Sequence, residues 1–309
     1  MDKTKEINVK NSLSSFDIHG ICNYIKSGKA SKIVVLTGAG ISCSAGIPDF
    51  RSINTGLYSN LQKYNLSKPS DIFDINYFVK DPAPFFDLCP SLLPGKYQPT
   101  FIHYFCSYLA RIGLLHRHYT QNIDGLERIA GVPNELLVEA HGSFYSAHCH
   151  LCKREYSYNE IRDRIDGTVL HCDDPGCEGF IKPDIVFFHE QLPKRFDILS
   201  RTDLRACDLL IIIGTSLKVQ PFGSLPGVVS DDIPRVLINN EKVASYYEEQ
   251  IDIGGSINIV LPPNHRSLLR YDHSSNKRDV FIGGDCQNAI IEISKELGWY
   301  EEISKMMNK

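Results

Sequence analysis

Apolar positions along the chain follow two rhythms. Continuous, often β-branched runs at Lys32 to Thr37, Leu114 to Thr120, Leu136 to Ala140, Asp184 to Phe188, Asp208 to Gly214, Arg235 to Asn239, Ile257 to Leu261 and Asp279 to Ile282 predict strands buried on both faces. Apolar positions spaced at helical intervals predict helices over Phe16 to Lys26, Phe196 to Arg205 and Asp285 to Leu297. Strands alternating with helices imply an α/β fold, a parallel sheet with helices on both faces. Two stretches break the alternation. Residues 53–112 lack a strand pattern and carry short apolar helical segments cut by Pro69, Pro82, Pro84, Pro90, Pro94 and Pro99, which predicts a helical insertion. Residues 145–182 are polar and short-stranded, and they predict a second, smaller insertion. No internal repeat or low-complexity segment interrupts this plan, and residues 1–14 are polar.

Composition adds exclusions. With 42% hydrophobic and 23% charged residues the chain is globular in type. Its 33 basic against 37 acidic residues, a net charge of −4, argue against a broad nucleic-acid or membrane-surface binder. The longest apolar run, Leu209 to Ile213, falls far short of the roughly 20 residues of a membrane helix. No secretory signal pattern is seen and the first arginine is Arg51, so an intracellular, cytoplasmic or nuclear location is expected, without a mitochondrial leader.

Ten cysteines are the unusual count. In a reducing compartment clustered cysteines signal metal, and scattered ones are small core residues. Cys149-x2-Cys152, nineteen residues, then Cys172-x4-Cys177 is a strong pattern for one four-thiolate structural zinc. Four protein ligands leave no open position, so this metal should staple its module and stay out of the chemistry. His148, His150 and His171 adjoin the cluster and are minor ligand candidates. Cys22, Cys43, Cys89, Cys106 and Cys207 have no role beyond packing.

The strand Lys32 to Thr37 runs into Gly38-Ala39-Gly40-Ile41-Ser42-Cys43, a turn able to present backbone N–H groups to a phosphate. As a dinucleotide fingerprint it is imperfect: Cys43 takes the third glycine's place, and no acidic residue ends a second strand. Alone it would equally suit a structural strand-to-helix turn. The following loop, Ile47-Pro48-Asp49-Phe50-Arg51-Ser52, sets an acid, an aromatic and a base in succession, which suits a loop that closes over a ligand. Two further strand ends carry Thr120-Gln121-Asn122-Ile123-Asp124-Gly125 and Glu139-Ala140-His141-Gly142. Ligands of open parallel sheets bind beyond the carboxyl ends of the strands, so Asn122, Asp124 and His141 share one rim with the glycine turn. A lone histidine is usually structural, but one at a strand end facing an Asn and an Asp is a candidate general base. The other histidines lack such a setting. Gly214-Thr215-Ser216, Asn239-Asn240-Glu241 and Gly283-Gly284-Asp285-Cys286 put polar tips along the second half of the rim, where Asn239 and Glu241 suit ribose hydroxyls.

Taken together these segments resemble the sirtuins, NAD-dependent protein-lysine deacylases. The resemblance lies in GAGISCSAGIPDFRS (Gly38 to Ser52), TQNIDGLER (Thr120 to Arg128), His141-Gly142, the four cysteines, KPDIVFFHE (Lys182 to Glu190), GTSLKVQPF (Gly214 to Phe222), Asn239 and GGDC (Gly283 to Cys286). It implies a Rossmann-like NAD-binding domain from residues 15–52, 113–144 and 183–300, a helical module at 53–112, a zinc-ribbon module at 145–182 and a tail at 301–309. It also implies NAD phosphates on Ala39, Gly40 and Ser42, with the adenosine end near Gly214, Thr215, Ser216, Asn239, Asn240, Glu241 and Cys286. Nicotinamide would sit among Ile47, Asp49, Asn122, Ile123 and Asp124, under a loop bearing Phe50 and Arg51, with Gln121 also binding the cofactor. Asn122 and His141 would be catalytic, with His141 deprotonating a ribose hydroxyl, and the products would be free lysine, nicotinamide and O-acyl-ADP-ribose. An acetylated protein or peptide would add as a strand between Val186, Phe187, Phe188, His189 and Glu190 on one side and Val219 on the other.

The stretch Thr55 to Tyr64 and Pro84 to Phe86 resemble the robust deacetylases. Residues 84–95 lack the Tyr and Arg pair of the desuccinylase branch, so acetyl or longer apolar acyl groups are expected. His189 stands where a Gly is usual, and the second cysteine pair is spaced by four residues where two are commoner. No membrane or direct nucleic-acid partner is implied. Protein ADP-ribosyl transfer and a catalytically silent NAD-binding scaffold are the alternative readings.

Overall fold

The computed structural model describes residues 13–48, 57, 61–245, 268–308 and the backbone of 250–253 and 256–259. Helix α1 (Ile18–Lys26) is capped by Asp17, whose carboxylate accepts the Gly20 N–H at 2.8 Å, and leads into β1 (Ile33–Thr37). Then come α2 (Ile75–Lys80), α3 (Ala83–Leu92), α4 (Phe101–Arg111), β2 (Leu115–Thr120), α5 (Leu126–Ile129) and β3 (Leu137–Glu139). A ribbon follows, with β4 (Gly142–Cys149), β5 (Glu155–Ser157), α6 (Tyr158–Ile161) and β6 (Ile181–Ile185). The second half holds α7 (Lys194–Ala206), β7 (Leu209–Ile213), β8 (Arg235–Asn239), β9 (Gln250–Ile253), β10 (Ser256–Ile259), β11 (Asp279–Gly283), α8 (Cys286–Glu296) and α9 (Tyr300–Met307). No helix among the described residues is long and apolar enough to cross a membrane.

Six strands form one parallel sheet in the order β11-β8-β7-β1-β2-β3. This is the doubly wound Rossmann-like order, with β1 and β7 at the centre. Strand alternation divides the core into two layers. Ile33 and Val35, with Leu209, Ile211 and Ile213, face α1, α4, α8 and α9. Val34, Leu36, Leu210 and Ile212 face α7 and the turn Phe222–Gly227. At the sheet edge Arg235 and Asp279, both 1% exposed, form a bidentate pair at 2.6 and 2.7 Å, and Arg235 also donates to the Pro226 carbonyl. These bonds satisfy two charges that burial alone would penalise.

Several boundaries differ from the sequence reading. Asp184 to Phe188 is no strand of the parallel sheet: β6 ends at Ile185 and pairs antiparallel with β4, so the ribbon sheet begins at Gly142. Ile257 to Leu261 likewise stays out of the main sheet, because β10 pairs antiparallel with β9. Apolar content alone does not distinguish a sheet-centre strand from a ribbon strand. The helical stretch 53–112 is divided by packing: α2 and α3 join the ribbon in a third core, whereas α4 lies against the parallel sheet beside α8 and α9. The expected tail is α9, with Ile303 fully buried and Tyr300 stacked on Phe101 at 5.7 Å.

Cys149, Cys152, Cys172 and Cys177 converge at the ribbon tip, their sulfurs all within 4.8 Å of one another. The Cys149–Cys177 and Cys152–Cys172 separations of 3.6 and 3.5 Å are those of neighbouring corners of a thiolate tetrahedron with Zn–S bonds of about 2.3 Å. Any side chain at Gly179 would strike the Cys149 sulfur, so the cradle needs a glycine there. The insertion Asp173-Asp174-Pro175-Gly176 bulges outward, with Arg154 and Arg164 paired to Asp174 and Asp173. The nearby histidines are engaged elsewhere. His148 pairs with Asp184 at 2.7 Å, the His150 ring stacks on Phe180, and His171 meets the edge of the same ring.

Two outcomes follow from this packing. Ile303→Ala should destabilise the protein by about 2–5 kcal/mol in denaturant unfolding; a loss under about 1 kcal/mol would mean that α9 is a dispensable tail. Metal analysis should find one zinc per chain, and chelation should abolish amide-exchange protection in β5 while β1 and β7 keep theirs. Protection of β5 unchanged by chelation would separate the cysteine cluster from ribbon folding.

Candidate active site

The site starts from a backbone contact. At the carboxyl ends of β1 and β7 the connections leave in opposite directions, and a crevice opens between them. The Gly40 N–H donates to the Gly214 carbonyl at 2.9 Å, and Gly38 to Ile213 at 3.2 Å. A Cβ at Gly40 would lie 2.7 Å from the Gly214 Cα, and one at Gly38 2.7 Å from the Thr215 Cβ. Gly214 itself has φ +61°, the left-handed region that favours glycine. Beyond this contact lies a cleft of about 860 Å³.

Asn122 forms the cleft floor. Its Nδ2 donates to the Gly38 carbonyl and to Ser42 Oγ, both at 3.2 Å, and its N–H donates to Thr120 Oγ1. Ser42 Oγ in turn donates to Asp124 Oδ2 at 2.7 Å, while Asp124 Oδ1 accepts the Leu126 N–H at 3.0 Å. Burial pushes the Asp124 carboxyl above its ordinary range, opposed by these hydrogen bonds. With Nδ2 committed, Oδ1 is the Asn122 atom left for a ligand. The neighbouring Gln121 Nε2 donates to Thr215 Oγ1 at 2.6 Å and so ties the two halves of the rim together.

His141 follows β3, which pairs with β2, and its Nδ1 lies 2.9 Å from the Gln121 carbonyl. A carbonyl only accepts, so Nδ1 carries the proton and Nε2 keeps its lone pair. The backbone is anchored as well, since the His141 carbonyl accepts the Val186 N–H at 2.7 Å. Gly142 has φ +72°, and a side chain there would strike the Asp184 carbonyl. Burial pushes the His141 pKa below the ordinary histidine value, offset in part by the Gln121 carbonyl.

Most of the residues expected on the rim do line the cleft: Gly38, Ala39, Gly40, Gln121, Asn122, Ile123 and His141 on one half, Gly214, Thr215, Ser216, Asn239, Asn240, Glu241 and Cys286 on the other. Three do not. Ser42 is buried, its N–H donates to Ala39 and its hydroxyl turns to Asp124, so it holds the floor and does not offer a phosphate donor. The Gly40 N–H is spent on Gly214, which leaves Ala39, Cys43 and Ser44 as the other turn residues at the cleft. Asp124 lies behind Asn122, and Ile47 is absent from the lining. Asp49, Phe50 and Arg51 lie outside the described residues.

Val186, Phe187, Phe188, His189, Glu190 and Val219 also line the cleft. Their backbone is less open than an added strand would require. The Val186, Phe187 and Phe188 N–H groups already bond His141, the Glu190 carboxylate and Phe73, and the Phe188 carbonyl accepts from Ile75. The Phe187 ring is buried, 4.9 Å from Phe85 and under Lys182 Nζ at 4.4 Å, so it anchors the wall. His189 adopts φ +71° and its Nε2 lies 3.2 Å from Asp74 Oδ2. Sequence reasoning passed over Glu127 and His103, which the fold brings beside Asp124. The spacing of Glu127 three residues beyond Asp124, at the start of a short helix, was the available signal.

Comparison with known proteins agrees with this geometry. The model of the Sir2 family matches residues 38–221. The chain is 48% identical to the NAD-dependent deacetylase sir2A of Dictyostelium discoideum over 94% of its own length and 53% of that protein. It is 45% identical to the NAD-dependent protein deacetylase sirtuin-2 of Danio rerio, over 96% of this chain and 76% of the relative. Sirtuin-3 of Mus musculus, also named an NAD-dependent protein deacetylase, is 41% identical over 95% and 80% respectively. The chain thus spans about half the length of the first of these relatives and roughly three quarters or more of the others. A family model that covers the glycine turn, Asn122, His141 and the cysteine cluster, joined by such identities along nearly the whole chain, shows that the protein belongs to the Sir2 family.

Proposed function

We propose that the chain is an NAD-dependent protein-lysine deacetylase. The observation that carries this reading is His141, held at the cleft with Nδ1 on a backbone carbonyl and Nε2 free of a proton. Bound NAD supplies a glycosidic bond whose cleavage releases nicotinamide and leaves ADP-ribose as acyl acceptor. The protein's part is orientation and proton handling. Ala39, Cys43 and Ser44 would hold the phosphates, and Asn239 and Glu241 the adenosine end. Asn122 Oδ1 orients the nicotinamide side, because its amide nitrogen is fixed from behind. His141 Nε2 would accept the proton of a ribose hydroxyl as the acyl group passes to that oxygen from the lysine nitrogen, whose C–N bond breaks with one water consumed overall, a role suited to a base that stays neutral at physiological pH.

The acyl-lysine peptide lies between the His189 side and Lys218–Val219. With the N–H groups of Val186 to Phe188 already used, main-chain pairing falls to His189 and to the Val219 side. Lys218 is the one lysine or arginine among the described lining residues, and the lack of a guanidinium among them for an acidic acyl chain supports acetyl and apolar acyl groups. His141 and Asn122 standing together at one cleft favour acyl transfer over a silent scaffold.

His141→Ala should lower kcat for deacetylation by about 10²–10⁴-fold while NAD binding, measured by calorimetry, stays within a few-fold. Rapid turnover by that variant would remove His141 as the base. For the wild type, the acidic fall in kcat should lie below the pH at which an ordinary histidine, of pKa about 6.5, gains its proton, because burial disfavours the charged ring. A midpoint above neutrality would contradict this placement of the base.

A further inference from the structure

Of the five buried side-chain polar atoms without a partner among the described residues, four belong to three side chains packed near one another: His103 Nε2, His118 Nδ1 and both Glu127 oxygens. Native interiors leave few such atoms, so a cluster of them calls for a function. His103 lies on α4, His118 on β2 and Glu127 on α5. Ligand atoms of His103, Glu127 and Asp124 lie within 4.8 Å of one another.

That donor set suits a cation less well than a proton. The Thr100 N–H donates to His103 Nδ1 at 3.1 Å, and the Thr100 hydroxyl is spent on the Ile41 carbonyl at 2.9 Å. Nδ1 is therefore the acceptor, and Nε2, the atom facing the carboxylates, carries hydrogen and has no lone pair for a metal. The two carboxyls differ in their surroundings. Asp124 accepts from Ser42 Oγ and the Leu126 N–H, which stabilise its ionised form. For Glu127 the Thr120 hydroxyl and its own backbone N–H favour the ionised form only weakly, outweighed by burial at 1% exposure and by the neighbouring Asp124 charge. Two buried carboxylates at close range cannot both ionise cheaply.

We propose that Glu127 is a neutral carboxylic acid in the working enzyme and that, with His103 Nε2–H, it positions Asp124, and through Ser42 Oγ the Asn122 amide, for nicotinamide-side binding. The proposal rests on the deacetylase reading above. Burial and the Asp124 charge push the Glu127 carboxyl up to about 8, which agrees with this assignment. The other titratable groups facing it are Glu139, which is paired with Arg128 at 2.6 Å, Tyr145, Cys106 and the buried, uncharged His103. His118 faces His103 from behind, with its Nε2 on Thr37 Oγ1. Ionising Glu127 would set a second negative charge against Asp124 and disturb the chain of hydrogen bonds that ends at Asn122.

The test compares wild type, Glu127→Gln and Glu127→Ala by deacetylation kinetics from about pH 6 to 9 and by thermal unfolding from about pH 5 to 8. Wild-type KM for NAD should rise roughly fivefold or more above about pH 8, as Glu127 loses its proton. Glu127→Gln is neutral with a donor in the same place, so it should keep kcat and KM at pH 7 within about twofold and lack the alkaline rise. Glu127→Ala, where it folds, should raise KM for NAD about tenfold at pH 7.

The thermal arm is independent of turnover. A raised carboxyl pKa means that the folded protein holds a proton that the unfolded chain releases above the ordinary value of about 4.3, so wild-type stability falls as pH climbs toward 8. The melting difference, Glu127→Gln minus wild type, should therefore grow from pH 5 to 8. A Gln variant that shares the wild-type pH profile in both assays overturns the proposal. So does one that matches the Ala defect at pH 7, or one that loses a metal other than the cysteine-bound zinc. Wild type that consumes no NAD with acetylated peptides would defeat the deacetylase reading instead, while the thermal comparison would still judge Glu127.

Discussion

Everything at the cleft depends on how closely two backbones approach at the centre of the sheet. The Gly40 N–H reaches the Gly214 carbonyl at 2.9 Å across the gap between β1 and β7, and a methyl group on either residue would force them apart. Glycine costs conformational entropy, and here that cost secures contact between two strand ends that no side chain could span. The contact sets the width of the crevice. It also places Thr215 where Gln121 can bond it and Gly38 where Asn122 can bond it, so both halves of the rim share one register.

Below the rim the structure is unusually polar for a sheet interior. Ser42, Asn122 and Asp124 form a continuous chain of hydrogen bonds, and Thr120 holds the Asn122 backbone. Buried polar groups are stabilising only when satisfied, and a satisfied network fixes side-chain orientation more firmly than packing does. His141 is held by similar means. Its ring rests on the Gln121 carbonyl and its own carbonyl on the Val186 N–H, so the base is oriented between the sheet and the ribbon strand. Orientation by backbone groups explains why one imidazole can serve with no carboxylate partner.

The far wall of the cleft is built by the third core. Phe73, Phe78, Phe85 and Phe187 pack edge to face at 4.9 to 6.3 Å, joining α2 and α3 to the ribbon. The ribbon's own apolar residues, Phe144, Tyr156, Ile161 and Ile181 among them, join this core, and the cysteine cluster ties together the polar tip beyond it. A zinc held there would act at a distance, by fixing β6, which leads into Val186 to Glu190.

Much of this was legible in the chain. The apolar runs of β1, β7 and β8 declared a sheet buried on both faces, because strands covered by helices have no solvent side to mark with polar residues. Gly38, Asn122, His141 and the four cysteines were recognisable because glycine turns, strand-end polar residues and paired thiols have few other uses. What the sequence could not decide is which partner each group takes. Ser42 looked like a phosphate donor and faces inward; Phe187 looked like a peptide contact and is a core ring; α4 read as part of an insertion and belongs to the main core. His103 lies in α4, Glu127 in α5 and Asp124 in the loop before α5, and the packing of α4 against α5 and β2 makes them one group. Local pattern determines which elements form and which chemistry is available, since propensity and periodicity act over a few residues. Direction, burial and hydrogen-bond pairing are settled by long-range packing, and that is where the tertiary structure made the site.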